Sequence, residues 1–172
     1  SMTNGMPAGE IRVPGSAGFN DIEVADDGTI YATNTGVGAP NPDPKTWQVW
    51  KITKEGNASI LIQGEPLRQP NGIALDAKGN IVVVNIGNND VLTFSLDGKL
   101  LTTEKAVQPG NDGLVVMPDG TKYVSSVAIM PGLPQSSTCV VAALGASPQA
   151  AARAPPRQRS CTWPVGPVQG YT

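Results

Sequence analysis

Short runs of alternating apolar and polar residues follow one another along most of this chain, and glycine-containing turns separate them. The segment Trp47–Ile52 shows the alternation clearly, and Glu55-Gly56-Asn57 is the turn that follows it. Alternation with a period of two predicts strands with one buried face, and glycine supplies the positive φ that tight hairpin turns need. The pattern therefore predicts strands and little helix. The predicted strands span residues 19–25, 29–34, 47–52, 59–62, 72–76, 80–85, 90–96, 100–104, 113–117 and 121–127.

Three of these hairpins share one internal spacing, in which a polar residue stands eight positions before a turn glycine. The successive periods of about 50 and about 40 residues are typical of radial arrays built from four-stranded units. We therefore predict an all-β fold, a partial β-propeller of about two and a half to three four-stranded antiparallel blades. The repeated pairs are Asn20 and Gly28, Asn71 and Gly79, and Asp112 and Gly120.

A partial propeller has a structural consequence at its cut face. Propellers close with about four to eight blades, and closure leaves only short, protected sheet edges. Two and a half blades leave one radial face without a neighbour. We expect the chain to cover that face by self-association, with a different chain or the tail as the alternative cover.

The composition changes near residue 127. All 14 acidic residues lie at or before Asp119, whereas seven of the 16 prolines and both cysteines lie after residue 127. We expect residues 1–14 to be a tag scar and leader, 15–127 to form the blades, and 128–172 to be an irregular Ala/Pro/Arg-rich tail. The tail has two interpretations, a genuine disordered segment or a frameshifted or truncated end of the propeller.

Composition also limits the chemistry. The chain has no histidine, so a site must use carboxylates, amides, hydroxyls or main chain. The formal net charge of −2 gives no indication of nucleic-acid binding, and no apolar run approaches the length of a membrane helix. Two cysteines are too few for a disulfide scaffold. The localisation stays open between the cytoplasm and a periplasmic or secreted location after signal removal.

Asn20, Asn71 and Asp112 are the candidate site residues. They begin the first strand of each blade, and the innermost strands of a propeller line its central channel, so equivalent positions converge on the axis. Two amide oxygens and one carboxylate suit a hard divalent cation such as Ca²⁺, Mg²⁺ or Mn²⁺. The alternative is that Asn and Asp start strands because they form turns.

The three blade starts resemble the SMP-30/gluconolactonase/luciferin-regenerating-enzyme family. The resemblance lies in Phe19-Asn20-Asp21-Ile22, Pro70-Asn71-Gly72-Ile73 and Asn111-Asp112-Gly113-Leu114, and it extends over about residues 15–127. It implies a six-bladed propeller, a divalent metal (Ca, Mn, Mg or Zn), and hydrolysis of a small lactone or related sugar-acid ester. By the same resemblance Asn20, Asn71 and Asp112 are metal ligands, and Asp112 also helps to activate water.

Two departures separate this chain from the family pattern. The family's glutamate ligand precedes the first asparagine by a blade or more, and Glu10 is too close to Asn20 to replace it. The later blades are also missing, so we expect hydrolysis to be impaired and the metal to be incompletely held or absent. The alternatives are a non-catalytic propeller module with NHL-like repeats that binds a peptide or glycan, and an inert gene fragment.

Three further features receive structural interpretations. Asp26-Asp27 and Asn88-Asn89-Asp90 are typical of turns. Trp47 and Trp50 lie an odd number of positions apart, which predicts one core side chain and one surface or groove side chain.

Overall fold

The computed structural model describes residues 5–7, 9–128 and 138–144. In this part of the chain there are eleven strands and one short 3-10 helix, Pro44–Thr46. No helix among these residues is long and apolar enough to cross a membrane. The strands are β1 Phe19–Val24, β2 Ile30–Asn34, β3 Gln48–Ile52, β4 Ala58–Gln63, β5 Pro70–Leu75, β6 Ile81–Asn85, β7 Asp90–Phe94, β8 Leu100–Lys105, β9 Asn111–Val116, β10 Lys122–Ala128 and β11 Thr138–Leu144.

These strands form three separate antiparallel sheets in which every strand pairs with its neighbours in sequence. Blade 1 contains β1 to β4, blade 2 contains β5 to β8, and blade 3 contains β9 to β11. The predicted all-β architecture of partial propeller blades is therefore confirmed.

The third strand of blade 3 was not predicted from the sequence. Strand β11 lies inside the segment 128–172 that we expected to be irregular, and it pairs with β10 along its whole length, from Thr138 opposite Ala128 to Leu144 opposite Lys122. The run Thr138–Leu144 is almost continuously apolar, so it lacks the alternation by which half-buried strands are recognised. The remainder of the predicted tail, residues 129–137 and 145–172, lies outside the described residues.

The hairpin turns have one repeated construction. The backbone N–H of Gly28 donates to the carbonyl of Ala25, and that of Gly120 donates to the carbonyl of Met117. Both glycines have positive φ values, 87° and 84°, a backbone conformation that residues with a side chain rarely adopt. The Asp26-Asp27 pair is thus part of a turn, as the sequence indicated.

Apolar residues fill the space between adjacent blades. Between blades 1 and 2 the core includes Tyr31, Val49, Ile73 and Phe94. A second cluster joins blade 2 to blade 3 and includes Val84 and Val124. Alternate residues of each strand point to opposite faces, so blade 2 uses one face for blade 1 and the other for blade 3.

Trp47 and Trp50 are both buried, which differs from the prediction of one core ring and one surface or groove ring. Trp47 precedes β3, and its indole N–H donates to the carbonyl of Val37 at 2.8 Å. The indole N–H of Trp50 donates to Oε1 of Gln48 at 2.8 Å. The two rings do lie on opposite faces of the sheet: Trp47 belongs to the core cluster with Val49, whereas Trp50 is covered on the other face by the edge-on ring of Phe19.

Candidate metal centre at the starts of the first strands

The three predicted ligands occupy the same structural position in their blades. In β1, β5 and β9 the pairing with the second strand is interrupted by a bulge just after the first residue. Each bulge contains two residues, and the first of them is Asn20, Asn71 or Asp112. A β-bulge redirects side chains at a sheet edge and is frequent at functional sites. The repeat that was recognised in the sequence is therefore also a repeat of backbone geometry.

The surroundings of the three side chains differ. Asn20 and Asp112 are exposed, whereas Asn71 is only 4% exposed. None of the three side chains hydrogen-bonds another residue in the described ranges. Buried amides are almost always hydrogen-bonded in folded proteins. The Asn71 amide is not among the fully enclosed polar atoms that lack a partner in the described residues, so its polar atoms reach solvent through this small exposed fraction.

Asn71 is held in place through its backbone by blade 1. The hydroxyl of Thr33 donates to the Asn71 carbonyl at 2.5 Å. The hydroxyl of Thr35 donates to the Pro70 carbonyl at 2.8 Å. Thr33 is fully buried, so its hydrogen bond is shielded from competing water. These two bonds fix the start of β5 against the end of β2.

Asp21 is a structural residue of the site that sequence reasoning missed. Its Oδ2 accepts a hydrogen bond from the backbone N–H of Ile73 in blade 2 at 3.0 Å. Its Oδ1 accepts from the N–H of Ile22 at 2.9 Å. One feature of the sequence could have identified it: Asp21 stands at the repeat position where the other two blades have Gly72 and Gly113. Asp21 thus links the bulges of blades 1 and 2.

Blades 2 and 3 approach each other at Gly72. A Cβ on this residue would lie 2.6 Å from the carbonyl oxygen of Asp112 and 2.9 Å from the backbone nitrogen of Leu114. Contacts this short are not tolerated, so glycine is required for the approach of the two backbones rather than for its φ. The result is that β9, which carries Asp112, packs directly on β5, which carries Asn71.

Buried side chains at the end of each second strand support the bulges. Asn34 Oδ1 accepts from the N–H of Gly18 at 2.7 Å. In blade 2, Asn85 Oδ1 accepts from the N–H of Arg68 at 3.0 Å. In blade 3, the hydroxyl of Ser126 donates to Oδ1 of Asn111 at 3.3 Å. Each blade therefore ties down the chain just before or at the residue that opens its first strand.

Glu10 does not behave as a fourth ligand. It is exposed, and its Oε1 accepts from the guanidinium of Arg12 at 2.9 Å. Within residues 5–7, 9–128 and 138–144, no group of three His, Cys, Asp or Glu side chains could hold a metal ion. A metal centre in this part of the chain consequently depends on the asparagine amides.

A groove of about 500 Å³ lies between blades 1 and 2, at the opposite end of their first strands from the bulges. Its lining includes Glu23, Asp27, Tyr31 and Asp76. Burial, followed by the negative charge of Asp27, raises the pKa of the Tyr31 hydroxyl. The groove does not contain any of the three predicted ligands, so it is separate from the candidate metal centre.

The fold has well-defined relatives among solved structures. The chain is similar to a gluconolactonase from Xanthomonas campestris, at 25% identity and a TM-score of 0.53, over 68% of this chain and 44% of that one. It is also similar to a calcium-binding protein, regucalcin, from Agrobacterium tumefaciens, at 17% identity and a TM-score of 0.54, over 74% and 45% of the two chains. A catalytically inactive virginiamycin B lyase from Staphylococcus aureus matches at 18% identity and a TM-score of 0.53, over 69% and 39%.

These similarities establish the fold. The structural neighbours include β-propellers of the gluconolactonase and regucalcin type, which is the family that the blade starts resemble. The chain spans less than half the length of these neighbours. No protein-family model matches the chain, and no curated protein matches its sequence.

Proposed function

We propose that this chain is a gluconolactonase-like hydrolase that opens a small lactone or sugar-acid ester with the help of a divalent metal. The observation that carries the proposal is the common position of Asn20, Asn71 and Asp112, each the first residue of a bulge on adjoining first strands. The similarity to a gluconolactonase at 25% identity supports the same reaction class.

The side chains at the bulges fit a hard cation. Two amide oxygens and one carboxylate are the donors that Ca²⁺, Mg²⁺ and Mn²⁺ prefer, and Zn²⁺ also accepts carboxylate oxygen. The Asn71 amide has no hydrogen-bond partner among the described residues and remains accessible to solvent, so it is free to bind a cation. Asn20, Asn71 and Asp112 would hold the metal, with water or substrate completing the coordination. A bound metal would supply Lewis acidity for the lactone carbonyl.

Asp112 has the second role in the proposal. It is the one carboxylate of the three, it is exposed, and its side chain makes no hydrogen bond to a described residue. A carboxylate with these properties is free to accept a proton from an attacking water. Asn20 and Asn71 carry no charge at neutral pH, so they would hold the metal without competing for that proton.

Hydrolysis of δ-gluconolactone in a pH-stat, with Mn²⁺ or Ca²⁺ and after chelation, tests the proposal. We expect slow turnover above the buffer rate that requires the metal and disappears in Asp112→Asn. Asp26→Asn is the matched control, because Asp26 is an exposed carboxylate in a turn away from the bulges. Turnover that survives chelation would overturn the metal mechanism. Absence of turnover with every metal would overturn the hydrolase proposal and favour a binding module.

A further inference from the structure

Two sheet faces at the ends of the three-blade array are apolar and exposed. The blade 1 open face consists of Ile22, Val24 and Ile60, and the blade 3 open face consists of Val115, Met117 and Tyr123. The strand register places each set on one side of its sheet. Ile22 and Ile60 lie in the same row of paired residues across the four strands of blade 1, and Val115 pairs with Tyr123 in blade 3. Contiguous exposed apolar surface of this kind marks an interaction site.

The blade 1 open face is equivalent to a face that is buried elsewhere in the same molecule. Ile22 and Ile73 occupy the same repeat position, two residues after the ligand asparagine. Ile73 packs against blade 1 and is 2% exposed, whereas Ile22 is 57% exposed. Blade 1 therefore exposes the face that is equivalent to the face by which blade 2 packs against blade 1.

The blade 3 open face shows the complementary relationship. Tyr31 and Tyr123 occupy the same repeat position, opposite Glu23 and Val115 on their first strands. Tyr31 packs against blade 2 and is 3% exposed, whereas Tyr123 is 37% exposed. Blade 3 therefore exposes the face that is equivalent to the face by which blade 1 packs against blade 2.

Blade 3 also carries the polar and small residues that join one blade to the next. Ser125 stands where Thr33 stands in blade 1, and each hydroxyl accepts from a bulge N–H of its own blade, at 2.8 Å from Gly113 and at 3.2 Å from Asp21. Thr33 uses its hydroxyl proton to bind the following blade. The hydroxyl proton of Ser125 is available for the same kind of bond to a following blade. Gly113 has no side chain, so it allows a following backbone to approach closely, as Gly72 does.

We propose that the blade 3 open face of one copy docks on the blade 1 open face of a second copy, and that the same contact on the other side closes a two-fold ring of six blades. Three blades are too few for closure, and six lie within the range of about four to eight that close. The matching 68% of this chain covers 44% of the similar gluconolactonase, so two such parts approximate one complete propeller. The contact is heterologous but closes on itself after two copies.

The ring would bring two sets of bulge residues around one axis. In the proposed contact the hydroxyl of Ser125 meets the backbone carbonyl of Asn20 in the second copy, by analogy with Thr33 and Asn71. Asp112 of each copy would then adjoin Asn20 of the other. This assembly is independent of lactone hydrolysis, and its test measures mass rather than activity.

Sedimentation velocity of the full chain tests the assembly, with two variants that place a charge on each open face. We expect the unmodified chain to sediment as a species with twice the mass of one chain. Ile22→Lys and Val115→Glu should each give monomers, since each buries an unpaired charge in both contacts of the ring. Val107→Lys is the matched control, because Val107 is exposed in the loop after β8 and off both faces. Circular dichroism establishes that each variant keeps its strands.

A mixture of the two variants distinguishes the proposed contact between unlike faces from a symmetric contact between like faces. Ile22→Lys and Val115→Glu copies can form one unmodified contact and one contact that pairs Lys with Glu, so the mixture should recover the dimer mass. A symmetric contact between two blade 1 faces would not recover in this way and would overturn the proposal. A monomeric unmodified chain would also overturn it, as would species that grow continuously with concentration, which indicate an open filament.

Discussion

The hydroxyl of Thr33 at the end of β2 donates a 2.5 Å hydrogen bond to the backbone carbonyl of Asn71 at the start of β5. This bond crosses from one blade to the next, and both residues are buried. It positions the backbone of a proposed metal ligand without using that ligand's side chain. The placement of Asn71 is therefore coupled to the packing of two sheets, and changes in that packing should alter the site.

Removal of the Thr33 hydroxyl should destabilise the protein. Thr33→Val keeps the shape but leaves the buried Asn71 carbonyl unpaired, which we expect to cost about 1–3 kcal/mol of unfolding free energy. Thr33→Ser is the control, since Ser125 performs the intrablade part of this role in blade 3. Urea unfolding measures the difference. A loss of stability in Thr33→Ser with none in Thr33→Val would show that the methyl group, rather than the hydroxyl, is important.

Gly72→Ala should separate blades 2 and 3. The added Cβ would lie 2.6 Å from the Asp112 carbonyl oxygen, which belongs to rigid backbone. We expect a loss of about 1–3 kcal/mol from overpacking and a weaker response to added metal. Gly18→Ala is the control, because a Cβ there meets no atom within 4 Å and its φ is not positive. Wild-type stability in Gly72→Ala would contradict the close approach.

Divalent metal should raise the melting temperature if the three bulges hold a cation. A ligand that binds only the folded state stabilises it by about 2.7 kcal/mol at about 100 times its Kd. Asp112→Ala should abolish the shift with Ca²⁺ or Mn²⁺, whereas Asp26→Ala should keep it. Differential scanning fluorimetry provides the measurement. A shift of equal size in Asp112→Ala would place the metal elsewhere.

Acid should weaken the hairpin turns of blades 1 and 3. The backbone N–H of Thr29 hydrogen-bonds Asp27 and lowers the pKa of that carboxyl, and the N–H of Thr121 does the same to the pKa of Asp119. A pKa that is lower in the folded state gives stability that is fully present above the unfolded value, about 3.9, and is lost as the pH falls through the folded value. We expect Asp119→Asn to reduce the slope of unfolding free energy against pH below about pH 4.

Urea unfolding at a series of acidic pH values measures that slope. Asparagine keeps an acceptor oxygen for the Thr121 N–H, so the variant retains the turn while it removes the titrating group. An unchanged slope in Asp119→Asn would mean that this carboxylate is not involved in acid unfolding.

The repeat in the sequence was sufficient to predict ten of the eleven strands, their turns and the equivalence of the three candidate ligands. Alternation and turn glycines act over a few residues, so they are readable without knowledge of the fold. The equivalence of Asn20, Asn71 and Asp112 also follows from spacing alone, because each blade is built by the same local rules. Strand β11 escaped prediction because its run of apolar residues carries no period.

Only the tertiary structure decided how the blades meet. The hydrogen bond from Thr33 to Asn71, the carboxylate bridge from Asp21 to Ile73 and the backbone contact at Gly72 each join residues about 40 or more positions apart. No local pattern encodes such contacts, since they arise when two independently formed sheets stack their apolar faces. For the same reason the sequence does not distinguish Ile22 from Ile73, although one is exposed and the other buried. Their difference depends on what lies next to each blade.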